Sequence, residues 1–243
     1  MSKNVLITGG SGTIGREICV KYSSMGYNVI FTYNSSPTEA QTTFDLLDSS
    51  KSNMMIQANL TNQASIKTLF QKIKKFYKNI DTLVNNAAYT KNYSPIELLN
   101  ISEEEIDKII NSIIKSTFFC SIEFIKQVKT FGNIINIGSN STSTLNASNL
   151  LYIACKASVE NLTKTLALNY GPKIKSNCVL PGLTLSNITK SSPSRFLPIL
   201  EKTPLNQLCT PQDIAQCVYF LSTESNFING ECVKVDGGRN LYS

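Results

Sequence analysis

The chain has 243 residues, 42% of them hydrophobic, which is enough for one large domain with a substantial core. It contains no His, which removes Ser-His-Asp hydrolysis, Cys-His proteolysis and most catalytic metal sites, so no metal is expected. The formal charge of +6 is spread along the chain; it suits a phosphate-bearing ligand and does not call for nucleic acid. Seven cysteines, an odd number with no C-x-x-C pair, read as free thiols of a reducing, cytoplasmic setting. No apolar run approaches the roughly 18–20 residues of a membrane span, so no membrane partner is expected. Met1-Ser2-Lys3-Asn4 runs straight into Val5-Leu6-Ile7 without the anatomy of a signal peptide.

Val5-Leu6-Ile7-Thr8 reads as a short buried strand, followed by Gly9-Gly10-Ser11-Gly12-Thr13-Ile14-Gly15 and a helix to about residue 25. Gly10, Gly12 and Gly15 spell G-x-G-x-x-G between a first strand and a first helix, the context of a dinucleotide fingerprint. Glycines there let main-chain N–H groups approach a pyrophosphate, and the helix N-terminus adds the positive end of its dipole. A second strand, Val29-Ile30-Phe31-Thr32-Tyr33, ends at Asn34-Ser35-Ser36-Pro37, and a helix runs on to about residue 48. An acidic residue at this strand end would take the 2′-hydroxyl of an NAD ribose. Tyr33, Asn34 and Ser35 stand there instead and offer hydroxyl and amide donors to a 2′-phosphate, which favours NADP(H) over NAD(H).

A third strand, 54–58, ends at Asn59-Leu60, and a Lys-rich amphipathic helix spans 63–77. The fourth strand, Asp81-Thr82-Leu83-Val84, ends at Asn85-Asn86-Ala87-Ala88. A long helix over 102–129 opens with Ser102-Glu103-Glu104-Glu105, the spacing of a capping box. The fifth strand, 133–138, leads to Ser139, a loop, and a helix to about residue 170 that carries Tyr152 and Lys156. A sixth strand, 175–180, runs into Pro181-Gly182. Residues 183–204 are polar and irregular and read as a mobile lid over the substrate. A helix over 211–221 and a last strand over 231–235 close at Asp236-Gly237-Gly238.

Strand and helix alternate throughout at the spacing of right-handed β-α-β crossovers. The expectation is an α/β protein: a single doubly wound Rossmann-like domain over 1–243 with a parallel sheet of about seven strands. Ligands of such sheets sit outside the carboxyl ends of the strands. Tyr152 and Lys156, four apart, lie on one helix face. An ammonium beside a phenol favours the phenolate, and a Tyr so placed can exchange a proton with a carbonyl or alcohol oxygen. The hydroxyl of Ser139, at a strand end, can hold the same oxygen.

Thr8-Gly9 with Gly15, Asn85-Asn86-Ala87, Ser139, Tyr152 with Lys156, Pro181-Gly182 and Asp236-Gly237-Gly238 follow the order and spacing of one family. Over its whole length the chain resembles the short-chain dehydrogenases/reductases, in the short single-domain branch of the 3-oxoacyl-carrier-protein reductases. The resemblance implies Ser139 as substrate-oxygen binder, Tyr152 as general acid/base, and Lys156 on the nicotinamide ribose beside Tyr152. It implies a pyrophosphate loop of Gly9, Ser11, Gly12, Thr13, Ile14 and Gly15, with Asn59 and Leu60 near the adenine. Asn86, Ala87 and Ala88 would lie beside the adenosine-side ribose, and Pro181, Gly182, Thr184 and Ser186 around the nicotinamide. Hydride would pass between nicotinamide and substrate carbon, the cofactor carrying the hard chemistry.

Four positions depart from the family pattern. Thr13 occupies the second glycine of the family's loop, and Gly12 sits where NADP-using members often carry a basic residue. Asn59 replaces a usual Asp, and Ala88 a usual Gly. The long helix normally offers an Asn that holds a water in the proton relay behind Lys; counting from both ends puts Ile113 there. Either Ile113 is simply core or the relay is missing; alternatively the helix is locally distorted and Asn111 or Ser112 takes the role. The expected function is an oxidoreductase transferring a hydride between NAD(P)H and a ketone or secondary alcohol, a biosynthetic 3-oxoacyl-like carbonyl reductase whose substrate is a small molecule, free or acyl-carrier-bound, built as a homotetramer or homodimer. The alternatives are a dinucleotide-binding sensor or scaffold without turnover and, from the Gly-loop variant alone, a sugar-nucleotide epimerase or dehydratase.

Overall fold

A computed structural model describes residues 3–145, 147, 149–186 and 193–242, without the side chains of 193–196. Seven parallel strands form one sheet in the order β3-β2-β1-β4-β5-β6-β7. They are β1 (Asn4–Ile7), β2 (Asn28–Tyr33), β3 (Met54–Gln57), β4 (Thr82–Asn85), β5 (Gly132–Ile137), β6 (Ile174–Pro181) and β7 (Cys232–Val235). The doubly wound, Rossmann-like architecture expected from the alternation of elements is the one observed. Strands buried on both faces need apolar side chains pointing both ways, which is why Val5-Leu6-Ile7 in β1 and Val29-Ile30-Phe31 in β2 read as unbroken apolar runs. In β1, Val5 and Ile7 face a core made with helices α1 (Thr13–Ser24), α2 (Pro37–Asp45) and α10 (Pro211–Tyr219). Leu6 faces the opposite core, made with α3 (Gln63–Phe76), α6 (Ser116–Gln127) and α8 (Leu150–Tyr170).

The caps explain where several helices begin. Asn62 accepts from the N–H groups of Ala64 and Ser65 to start α3, and Asn149 accepts from Tyr152 N to start α8. Thr210 and Asp213 form a reciprocal capping box on α10. The expected box at Ser102 is only half made. Ser102 accepts from Glu105 N, but the Glu105 carboxylate accepts from Tyr89 Oη at 2.9 Å and does not return to its own helix end.

The long helix expected over 102–129 is two helices, α5 (Glu103–Ile110) and α6, joined by a π turn at Asn111–Lys115. Short helix α4 (Pro95–Leu98) stands in a stretch given no element, and α7 (Ser141–Thr144) in the stretch read as loop. The stretch 183–204, expected to be irregular, contains helix α9 (Pro193–Glu201), with Pro198 inside it. Pro193 at its first turn is pre-set for a helix, since its missing N–H would have no partner there. Residues 187–192 of that stretch lie outside the described residues. The strand order reverses between β1 and β4, so a crevice opens between their carboxyl ends. No helix among the described residues is long and apolar enough to cross a membrane.

Candidate active site

A cavity of about 500 Å³ lies over the carboxyl ends of β1 to β4. Its floor is the loop after β1, and the geometry there shows which glycines are needed. Gly9 has φ +69°, where side chains are strained, and a Cβ on Gly15 would overlap the Gly9 carbonyl oxygen. A Cβ on Gly10 would stand 2.5 Å from the Phe31 ring. Gly12 differs: a Cβ there would meet only Gly9 O, at 3.5 Å. The close approaches within the protein therefore belong to Gly9, Gly10 and Gly15, and no protein atom crowds Gly12.

The loop is tied to β4 by its own polar groups. Thr8 Oγ1 accepts from Asn86 N and Ala87 N, and Asn86 Nδ2 donates to Thr8 O and Gly9 O. The family's Asn thus holds the loop from beneath. Gly12 caps α1 and no side chain bonds to the first turn, so its N–H groups face the cavity without a protein cap. Backbone approach, an uncapped helix start and the volume together fit a nicotinamide dinucleotide, with its pyrophosphate over this loop.

The cavity also gathers Ser11, Thr13, Ile14, Tyr33, Asn34, Ser35, Asn59, Leu60, Ala87, Ala88, Thr184 and Ser186, all expected from the sequence. Gln57 Nε2 donates to Asn34 O and fixes the strand end beside the three donors. Asn59 Oδ1 accepts from Thr61 N and Thr61 Oγ1, so its free amide donor is what it offers a base. Thr32, Ala58, Thr61 and Tyr89 line the cavity too and were not expected; Ser36 and Leu185 fall inside the strand-end stretches already read as cofactor-facing, and Ser112 is the residue that a locally distorted helix was expected to offer. Most are one residue beyond an expected position. Ser112 is different, because only the π turn brings it there.

Ser139, Tyr152, Lys156, Pro181 and Gly182 do not line this cavity; they stand beyond it, at the ends of β5 and β6 and on α8. Lys156 is 4% exposed, its Nζ donates to Ile137 O at 2.6 Å and lies 5.8 Å from the Tyr152 ring centroid. Ser139 Oγ accepts from Ser141 N, which orients it at the end of β5. Gly182 packs so closely on Asp236 that a Cβ would stand 2.8 Å from its Cα. Asp236 in turn accepts from Gly238 N, Asn240 N and Asn140 Nδ2, joining the chain's end to the Ser139 loop. Ile113, at the position counted for the relay Asn, is 1% exposed in an apolar cluster with Ile109, Cys155, Val159, Cys178 and Leu180. It is core.

A family profile described as enoyl-(acyl carrier protein) reductase matches residues 10–240. The chain belongs to the short-chain dehydrogenase/reductase family. It is 32% identical over 244 residues to 3-oxoacyl-[acyl-carrier-protein] reductase FabG of Staphylococcus epidermidis, covering 98% of this chain and 99% of that protein. The protein of that name from Haemophilus influenzae is 34% identical over 244 residues, covering 98% of each. A short chain dehydrogenase from Burkholderia cenocepacia, solved in complex with NADP, superposes with a TM-score of 0.91 at 26% identity over 98% of each chain. As a short-chain dehydrogenase/reductase the chain is an NAD(P)-dependent oxidoreductase of the carbonyl-reductase type, and the sensor or scaffold alternative is not favoured.

Proposed function

We propose that this short-chain dehydrogenase/reductase is an NADPH-dependent reductase of 3-oxoacyl-like ketones, free or carried on an acyl carrier. The observation that carries the reading is the pairing of Tyr152 with a buried Lys156 anchored on Ile137 O, beside a cavity that fits the dinucleotide. What the cofactor supplies when bound is a hydride at the substrate carbon. Tyr152 Oη gives the proton to the carbonyl oxygen, and Ser139 Oγ steadies that oxygen as its charge grows. The Lys156 ammonium, turned inward and held by one carbonyl, stabilises the phenolate left on Tyr152.

Tyr33, Asn34, Ser35 and Ser36 would hold the 2′-phosphate. Support comes from the start of α2 at Pro37, whose cap residue Ser36 makes no side-chain bond to the helix, leaving N–H groups for an anion. Glu39 in the same turn works against this and limits the preference. Thr184, Leu185 and Ser186, at the start of the stretch read as a substrate lid, line the cavity. Exposed Phe118 and Leu168 on α6 and α8 suit a homodimer or homotetramer, which light scattering will size. Seven unpaired cysteines suit the reducing cytoplasm.

The test is a panel of 3-oxoacyl thioesters, simple ketones and secondary alcohols assayed with both nicotinamides. We expect turnover of the thioesters with a higher kcat/KM for NADPH than for NADH. Failure of every ketone and alcohol with both nicotinamides would overturn the reading, and equal or better kcat/KM with NADH would overturn the cofactor preference.

A further inference from the structure

Two hydrogen-bonded contacts tie residues 89–91 to the rest of the site. At one end, Ser112 Oγ accepts from Tyr89 N at 3.0 Å and lies 3.3 Å from Tyr89 O and 3.0 Å from Ile109 O, the two acceptors open to its proton. At the other, Asn149 Nδ2 donates to Lys91 O at 2.7 Å and to Thr90 Oγ1 at 3.1 Å, while Asn149 Oδ1 accepts from Tyr152 N. A continuous path of polar contacts and short backbone thus runs from the π turn at Asn111–Lys115 to the first turn of the Tyr152 helix.

Tyr89 stands between two environments. It lines the dinucleotide cavity, and it also packs against the apolar cluster that holds Ile113, on which Leu151 and Tyr152 pack too. Its ring is fixed as well as its backbone: Oη donates to Glu105 Oε1 at 2.9 Å, and Lys108 Nζ lies 4.2 Å from the ring centroid. Helix α5 uses its first-turn carboxylate for this contact and leaves its own capping box half made. A wall held at backbone, hydroxyl and ring face is rigid on both sides.

We propose that Ser112 is a positioning residue: its hydroxyl anchors a strap, residues 89–91, that sets the Tyr89 wall of the cofactor cavity and the seat of the Tyr152 helix against it. The catalytic half of this rests on the reading of Tyr152 as proton donor; the cofactor half does not. The extra residue of the π turn is what turns Ser112, rather than Ile113, toward the strap.

The experiment uses the full chain with Ser112→Ala, Ser112→Thr, Asn149→Ser and the Ser112→Ala/Asn149→Ser double variant. Thr keeps an oxygen that bonds the carbonyl three or four residues back, as Ser112 does with Ile109 O. Ser at 149 still caps a helix but is too short to hold Thr90 and Lys91 together. Readouts are the NADPH dissociation constant by fluorescence titration, kcat on the best ketone, and thermal midpoint. We expect Ser112→Ala to weaken NADPH about three- to tenfold and to lower kcat about tenfold, the scale of one or two lost hydrogen bonds. Ser112→Thr stays within about twofold of wild type in both, and the double variant falls short of the product of the single effects, as members of one network do. The proposal is overturned if Ser112→Ala keeps wild-type NADPH affinity and kcat, if Ser112→Thr is as impaired as Ser112→Ala, or if the two sites act independently. If wild type binds NADPH but turns over no ketone, the reductase reading fails while the NADPH arm still decides the role of Ser112.

Discussion

Gly15→Ala and Gly12→Ala separate the glycine that the loop needs from the one that only completes a motif. At Gly15 the new methyl would overlap the Gly9 carbonyl oxygen and stand 2.7 Å from Asn86 Nδ2. The loop must move, and with it goes the Asn86 Nδ2 bond to Gly9 O, 3.1 Å long. Overpacking of this kind costs about 1–3 kcal/mol, and the lost bond adds about 0.5–1.5 kcal/mol. Ala is the better helix former by about 1 kcal/mol, which offsets part of this inside α1. A net cost of about 1–3 kcal/mol falling on the loop weakens NADPH by roughly 5- to 150-fold. At Gly12 the methyl meets ordinary contact only, and the cost is the poorer N-cap, up to about 1 kcal/mol or roughly fivefold. Fluorescence titration of NADPH, with thermal unfolding as the control, measures both. The reasoning is refuted if Gly12→Ala is as damaging as Gly15→Ala, or if Gly15→Ala binds NADPH like wild type.

Tyr152→Phe should lower turnover at least about 100-fold while leaving NADPH affinity within about threefold; retention of most of the rate removes Tyr152 as the proton donor. Ile113→Asn places an amide in an apolar cluster where Ile113 is 1% exposed, at a cost of about 3–5 kcal/mol and a fall in Tm of about 10 °C. A variant as stable as wild type, faster and with a shifted pH profile, would restore the missing-relay reading. Cys232 pairs with Cys178 across β6 and β7, and the interaction between the two thiols holds Cys232 below its usual range and pushes Cys178 up. Burial pushes Cys209 and Cys217 up to about 11, so iodoacetamide near pH 8 should label Cys232 first, its rate climbing at lower pH than theirs; a first label at Cys209 or Cys217 counts against this.

The topology was legible because it rests on long-range regularities of the chain. Most strands carry a core of apolar residues and run into Gly, Asn or Ser, and those ends gather on one side of a parallel sheet by the handedness of the crossovers. The cofactor cavity followed from the same rule, since its lining is almost wholly strand ends. Features set by a single local contact were not legible. Ser102 to Glu105 has the spacing of a capping box, yet the carboxylate goes to a tyrosine sixteen residues earlier in the chain, which no local pattern encodes. Gly12 fits a motif by spacing, but only the path of the Gly9 carbonyl shows that Gly15 is the glycine without room for a side chain.

The position of Ile113 shows where counting fails. Assigning a residue to a helix face assumes about 100° per residue from one end to the other. One five-residue turn with i→i+5 bonding inserts an extra residue and rotates everything beyond it by about that angle. Ser116 N donates to Asn111 O, five residues back, as such a turn requires. The hydroxyls of Ser116 and Thr117 then take the carbonyls of Ser112 and Ile113, and Ser121 takes that of Thr117. Ser/Thr side chains that bond a carbonyl four residues back loosen and bend helices. Three hydroxyl residues at 116, 117 and 121 are therefore the sequence signal of the distortion. Read that way, the turn belongs to Ser112 from the start: its carbonyl is held by Ser116, its hydroxyl reaches Tyr89, and the isoleucine after it goes into the core.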